Sequence, residues 1–162
     1  MNMIMKRNIV LLTVLAMASM PVVAFTETAD NTDYSGTWVL NLDESNKGGG
    51  RRGGRMITKM VVSHDLNTIK VASEGQSELT LKPDAGPKDV EMGRGMAKLE
   101  SKWDGANLVV TRVQTLETRR GSFTVEQVVL WELSEDGNTL TQRITLKSPR
   151  GDIQRTLVYD KQ

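Results

Sequence analysis

"FTVEQVVLWELSEDGNTLTQRITLK" (residues 123–147) decides the fold. Phe123, Val125, Val129, Trp131 and Leu133 alternate with Thr124, Glu126 and Glu132. "EDGN" interrupts the alternation, and Leu140, Ile144 and Leu146 resume it. A period of two puts successive side chains on opposite faces of a strand, so each run has one apolar face. The interruption carries Asp136, Gly137 and Asn138, residue types that tolerate the positive φ angles of a tight hairpin. The stretch therefore reads as an antiparallel hairpin with one face in a core. Gln127 and Gln142 fall on that inward face, where they either line a lumen or satisfy each other.

Moving outward, "SHDLNTIKV" (63–71) and "WDGANLVVT" (103–111) repeat the same kind of turn. The runs around them alternate too. Trp38, Leu40 and Leu42 share a face, as do Met56, Met60 and Val62. Ile69 and Val71 follow, then Leu79 and Leu81, Val90 and Met92, and Ala97, Leu99 and Trp103. Ile153, Leu157 and Tyr159 close the series. No segment after the first 24 residues keeps a helical period. The expected fold is all-β, an antiparallel up-and-down meander of about eight to ten strands. A sheet with one apolar face and no helix to cover it closes on itself, so we expect a barrel.

Connections in a meander alternate between two ends. One end collects the Asp-bearing turns. The other collects "GGGRRGGR", "EGQ", "GRG", "TRRG" and "SPRG", and with them Arg51, Arg52, Arg55, Arg94, Arg119, Arg120 and Arg150. The molecule is expected to be polarised, with a basic patch on one rim. Trp38, Trp103, Trp131 and Tyr159 lie on apolar faces near the acidic end and are expected to meet inside it.

The first residues have another character. Lys6 and Arg7 precede an apolar run, and Val22 and Ala24 sit at the small positions of a cleavage site. Residues 1–24 read as a secretory signal, 25–35 as a polar leader and 36–162 as the barrel domain. The expected location is exported, periplasmic or extracellular. Loss of Lys6 and Arg7 takes the formal charge from +1 to −1. A near-neutral domain has no global field to draw in nucleic acid or anionic lipid. There is no cysteine, which removes disulfides, thiolate metal sites, Cys nucleophiles and a lipidated Cys.

"SGTW" at 35–38 resembles the G-x-W of lipocalins, with Gly36 and Trp38 in the matching places. That resemblance implies a secreted barrel holding small apolar molecules, with Trp38 at the closed end and an Arg from a late strand covering it. Arg155 is the nearest candidate for that Arg. The chain departs from lipocalins in having no disulfide and no C-terminal helical pattern, and its "TDY" stands at 32–34, before the first strand. With "SGTWVLN", "WDG" and "LVYDK", the chain is also similar to small exported bacterial β-barrel proteins, a resemblance that brings no activity with it.

Arg155 shares its face with Ile153, Leu157 and Tyr159, so it points inward. A buried guanidinium needs a partner. Either it binds the carboxylate of an amphiphile, or it stacks on Trp38. The candidate lumen residues are Arg155, Tyr159, Gln127, Gln142 and Trp38. His64, the one histidine, precedes a turn and reads as an exposed turn residue; it has no second His for a metal and no G-x-S-x-G beside it. No catalytic residue, metal ligand or cofactor is expected. "GGGRRGGR" lacks interleaved aromatics, so it reads as a loop at the barrel mouth and not as a nucleic-acid site. Lys98, Glu100, Lys102, Glu126 and Glu132 on outer faces argue against a membrane-spanning barrel, and no transmembrane segment is expected in the mature chain. The expected function is binding of a small apolar or amphipathic molecule. The alternative is a structural or protein-interaction module with a filled interior that meets partners through the arginine rim.

Overall fold

The computed structural model describes residues 32–46, 56–92, 95–118, 121–149 and 151–162. Among them are ten strands: β1 (Gly36–Asn46), β2 (Lys59–Asp65), β3 (Thr68–Ser73), β4 (Leu79–Leu81), β5 (Lys88–Met92), β6 (Gly95–Asp104), β7 (Asn107–Thr118), β8 (Gly121–Leu133), β9 (Thr139–Lys147) and β10 (Ile153–Lys161). All pair antiparallel in one sheet, in the order β4-β3-β2-β1-β10-β9-β8-β7-β6-β5. This is the meander expected from the alternation, with the first strand paired to the last. The hairpin of β8 and β9 has the register Leu133↔Leu140, Trp131↔Gln142 and Val129↔Ile144.

The sheet curls onto itself. His64 on β2 and Trp103 on β6 stand far apart in the strand order, yet their rings lie 5.9 Å apart. Trp38, Tyr159, Met60, Ile69, Leu81, Leu108 and Leu140 are all buried in one cluster drawn from almost every strand. Removing such apolar area from water supplies the main stabilisation of a chain without disulfides. The fold is a lipocalin-like, curled antiparallel barrel.

One seam lacks a ladder. β4 and β5 are the two ends of the strand order and do not pair with each other. The link between them, 82–87, contains Pro83 and Pro87. Proline has no N–H to give a ladder, and β4 has three residues, so the edge is short. Across the gap, Lys88 Nζ donates to the Thr80 carbonyl, and Asp84 N–H donates to the Ser101 carbonyl at 2.8 Å.

Two details depart from the sequence reading. Leu42, expected to share the apolar face of Trp38 and Leu40, is exposed, beside a register shift between Asn41 and Asn46. In the β2–β3 turn the residue at positive φ is Leu66 (41°), neither Asp65 nor Asn67. The other two turns use Gly105 and Gly137 as expected.

Candidate functional site

The closed end is built around a residue that the sequence reading left in the polar leader. Tyr34 is fully buried. Its ring stacks on Trp103 at 6.1 Å and meets Trp131 edge-on at 5.6 Å. Its hydroxyl donates to the Trp131 carbonyl at 3.0 Å, and its own carbonyl accepts from Trp38 Nε1 at 3.0 Å. Burial pushes the Tyr34 phenol up to about 12. Residues 32–35 therefore form a plug. Trp38, Trp103 and Trp131 meet at this end as expected, with Tyr34 between them. Tyr159 is buried in the same core, its hydroxyl donating to the Ile57 carbonyl at 3.2 Å, and desolvation raises its phenol to about 12.

Trp38 is covered by a cation, but it is Lys161 and not Arg155. Lys161 Nζ lies 5.3 Å from the ring centroid. The register Trp38↔Lys161 puts the two side by side, whereas Arg155 sits opposite Ile144 six residues earlier on β10. The glycine of the G-x-W motif is required by its backbone, and the flexible Lys161 side chain lies over it. Gly36 has φ +149°, and a Cβ there would lie 2.6 Å from Lys161 Cε.

His64 is not the exposed turn residue expected from the sequence. It follows Met60 and Val62 on the inward face of β2, and its side chain is 6% exposed. Its ring packs on Trp103, Nδ1 is 3.7 Å from Asp33 Oδ1, and Nε2 is buried without a hydrogen-bond partner. The side-chain and backbone hydrogen bonds of Ser35, more than His64, hold the Asp33 carboxyl below its ordinary 3.8. Ser35 Oγ accepts from the His64 backbone N–H at 3.0 Å, so Asp33, His64 and Ser35 tie the plug to β2.

Above the plug the inner face turns cationic. Cross-strand pairing aligns Lys88, Leu99, Arg112 and Gln127 in one row across β5 to β8. In the adjoining row Ser101, Val110, Val129, Ile144 and Arg155 follow one another from β6 to β10. Arg155 points inward as expected, and its Nε is buried with no hydrogen-bond partner. Arg112 was not singled out from the sequence. Leu108 and Val110 are buried at the same parity on β7, and that alternation is the signal that finds it. Arg112 Nη1 donates to Met92 Sδ at 3.5 Å, a weak acceptor, and burial lowers its pKa. Gln114, two residues on, donates to the Met92 carbonyl at 3.3 Å.

Gln127 lies directly opposite Arg112, and Gln142 opposite Trp131, so the two glutamines do not face each other. Gln142 is buried. On β2 to β10, the described positions of this face hold no Asp or Glu; the strand carboxylates all take the other parity. On the outer face they meet cations: Lys98–Asp89 at 3.0 Å, Lys147–Glu126 at 2.8 Å, and Arg143–Glu132.

Two pockets flank this arrangement. One of about 210 Å³ opens at the β4–β5 seam, and one of about 330 Å³ lies over Lys59, Val61 and Ala72 on β2 and β3. Neither is lined by Arg112, Arg155, Gln127, Gln142 or Trp38. The rim residues Arg51, Arg52, Arg55, Arg94, Arg119, Arg120 and Arg150 lie outside the described residues, as do the signal segment and most of the leader.

No family model matches the sequence, and no curated protein matches it. The fold is similar to a solved structure of a secretory abundant heat soluble (SAHS) protein from Ramazzottius varieornatus, with a TM-score of 0.57 and 13% identity. That match covers 82% of this chain and 97% of the other. At this identity the likeness establishes the fold, a curled antiparallel β-barrel.

Proposed function

We propose that the chain is an exported binding protein for an amphipathic carboxylate, held in the upper half of the curled sheet with its acid group at Arg112 and Arg155. The observation that carries this reading is the uncompensated inner face. It bears two guanidinium groups with unmet hydrogen-bonding capacity and no carboxylate among the described positions of β2 to β10. An arginine in a half-buried site costs desolvation energy, which an incoming anion offsets with charge-assisted bonds. Leu146 and Ile153, beside Gln127 on the same face, supply apolar surface for the rest of the molecule. The proposal includes removal of residues 1–24 and carries no reaction, cofactor or metal.

The test is a calorimetric titration of the mature protein with dodecanoate and with dodecanol. A charge-assisted hydrogen bond is worth about 1.5–3 kcal/mol, so the acid should bind more than about tenfold tighter. Arg155→Gln and Arg112→Gln should each reduce that preference. Equal affinity for acid and alcohol, or no binding of either, would refute the reading.

A further inference from the structure

The β4–β5 seam holds a pocket of about 210 Å³ whose lining includes Lys82, Gly86, Lys88, Leu99 and Ser101. Its chemistry is one-sided. Two lysines line it, and no Asp or Glu does. Lys88 Nζ reaches the Thr80 carbonyl, one neutral acceptor for a group with three donors. Leu99, 2% exposed, gives an apolar floor, and Ser101, 4% exposed, brings a hydroxyl beside it. Gly86 stands at φ +81° with nothing within 4 Å of the place its Cβ would take, so bare backbone forms part of the wall. Drug-sized sites begin at about 300 Å³, so this volume suits a ligand of fragment size.

We infer that the seam is a second binding site, for a small organic anion with a flat apolar body, and that Lys88 is the cation that holds it. Lys88 gives up the Thr80 carbonyl and turns to the ligand's carboxylate. Lys82, also in the lining, adds a second charge, and the apolar body lies on Leu99. A carboxylate is the better partner for an ammonium because the bond is charge-assisted on both sides. The site closes a gap that the backbone leaves open, since no ladder joins β4 to β5. It borders the proposed ligand site, since Leu99 pairs with Arg112, but neither Arg112 nor Arg155 lines it.

Benzoate is the probe, with benzamide as its neutral counterpart. Isotope-labelled mature protein is titrated with each, and amide signals are followed by NMR. Benzoate should shift Ala85, Gly86, Leu99 and Ser101 with saturation below about 5 mM, and benzamide should bind at least about fivefold more weakly. Lys88→Met keeps the chain length and removes the charge, and should abolish saturation; Lys82→Met should weaken it. Lys147→Met, at an exposed lysine on the outer face of β9, should leave benzoate binding unchanged. If Lys88→Met loses the dispersed spectrum of a folded chain, Lys82→Met decides the matter alone. No saturable shift up to about 20 mM, equal response to benzamide, or loss of binding in Lys147→Met would overturn the inference.

Discussion

Tyr34 should behave as a core residue although it precedes the first strand and has polar neighbours on both sides. Truncating a buried large aromatic costs about 3–5 kcal/mol through lost transfer energy and the cavity left behind. The structure divides that cost. The hydroxyl donates to the Trp131 carbonyl at 3.0 Å, so Tyr34→Phe should lose about 0.5–1.5 kcal/mol. The ring's stacked contact with Trp103 and edge contact with Trp131 contribute about 0.5–1.5 kcal/mol each beyond area burial. Thr32→Ala, which removes an exposed hydroxyl bonded to the Ala106 carbonyl, should stay within about 0.5 kcal/mol. With a urea slope of about 2 kcal/mol per molar, Tyr34→Ala should move the unfolding midpoint down by about 1.5–2.5 M, and Tyr34→Phe by about 0.3–0.7 M. Indole fluorescence is the direct reporter, because Trp103 and Trp131 touch the tyrosine ring. A midpoint for Tyr34→Ala within about 0.25 M of the parent would show that residues 32–35 are a solvated leader and that the plug does not exist.

Gly36→Ala should destabilise by about 1–3 kcal/mol in thermal or urea unfolding, since a φ of +149° is poor for any residue with a Cβ; an unchanged midpoint would contradict the account of the G-x-W glycine. Leu66→Gly should raise stability by about 0.5–1 kcal/mol, because Leu66 holds φ 41° while 85% exposed, so strain is relieved and little packing is lost. Asp33 and Asp136 both have carboxyls held below 3.8, Asp136 chiefly by Ser134 and Asn138. A lowered folded pKa gives stability that is present above the unfolded value and lost as pH falls through the folded one, so the melting temperature should drop below about pH 4, and less steeply in Asp33→Asn/Asp136→Asn.

The strands were legible because each buries one face, and period-two alternation records that burial residue by residue. Gln127, Gln142 and Arg155 were assigned inward on that evidence, and the structure has them there. Arg112 was equally legible from Leu108 and Val110. His64 carried two conflicting signals, the parity of Met60 and Val62 and the nearness of a turn; parity decides, because the strand runs to Asp65. The cation over Trp38 was not legible. Choosing Lys161 over Arg155 needs the register between the first and last strands, which no hairpin turn sets. Tyr34 was hidden for a similar reason: a lone aromatic among Thr32, Asp33 and Ser35 has no period, and only the curl of the sheet brings Trp103 and Trp131 to it. The open seam was written in Pro83 and Pro87, but its consequence appears only when β4 and β5 become the two edges of one sheet.

The central claim, that the inner face is arranged around an acid with an apolar body, has a direct test in the protein purified from its own source. Its organic extract should be analysed by mass spectrometry against an extract of the Arg112→Gln/Arg155→Gln variant prepared the same way. The account predicts a carboxylic amphiphile approaching one per chain in the parent and strongly depleted in the variant. An extract holding only neutral lipid, or the same content in both proteins, would contradict it.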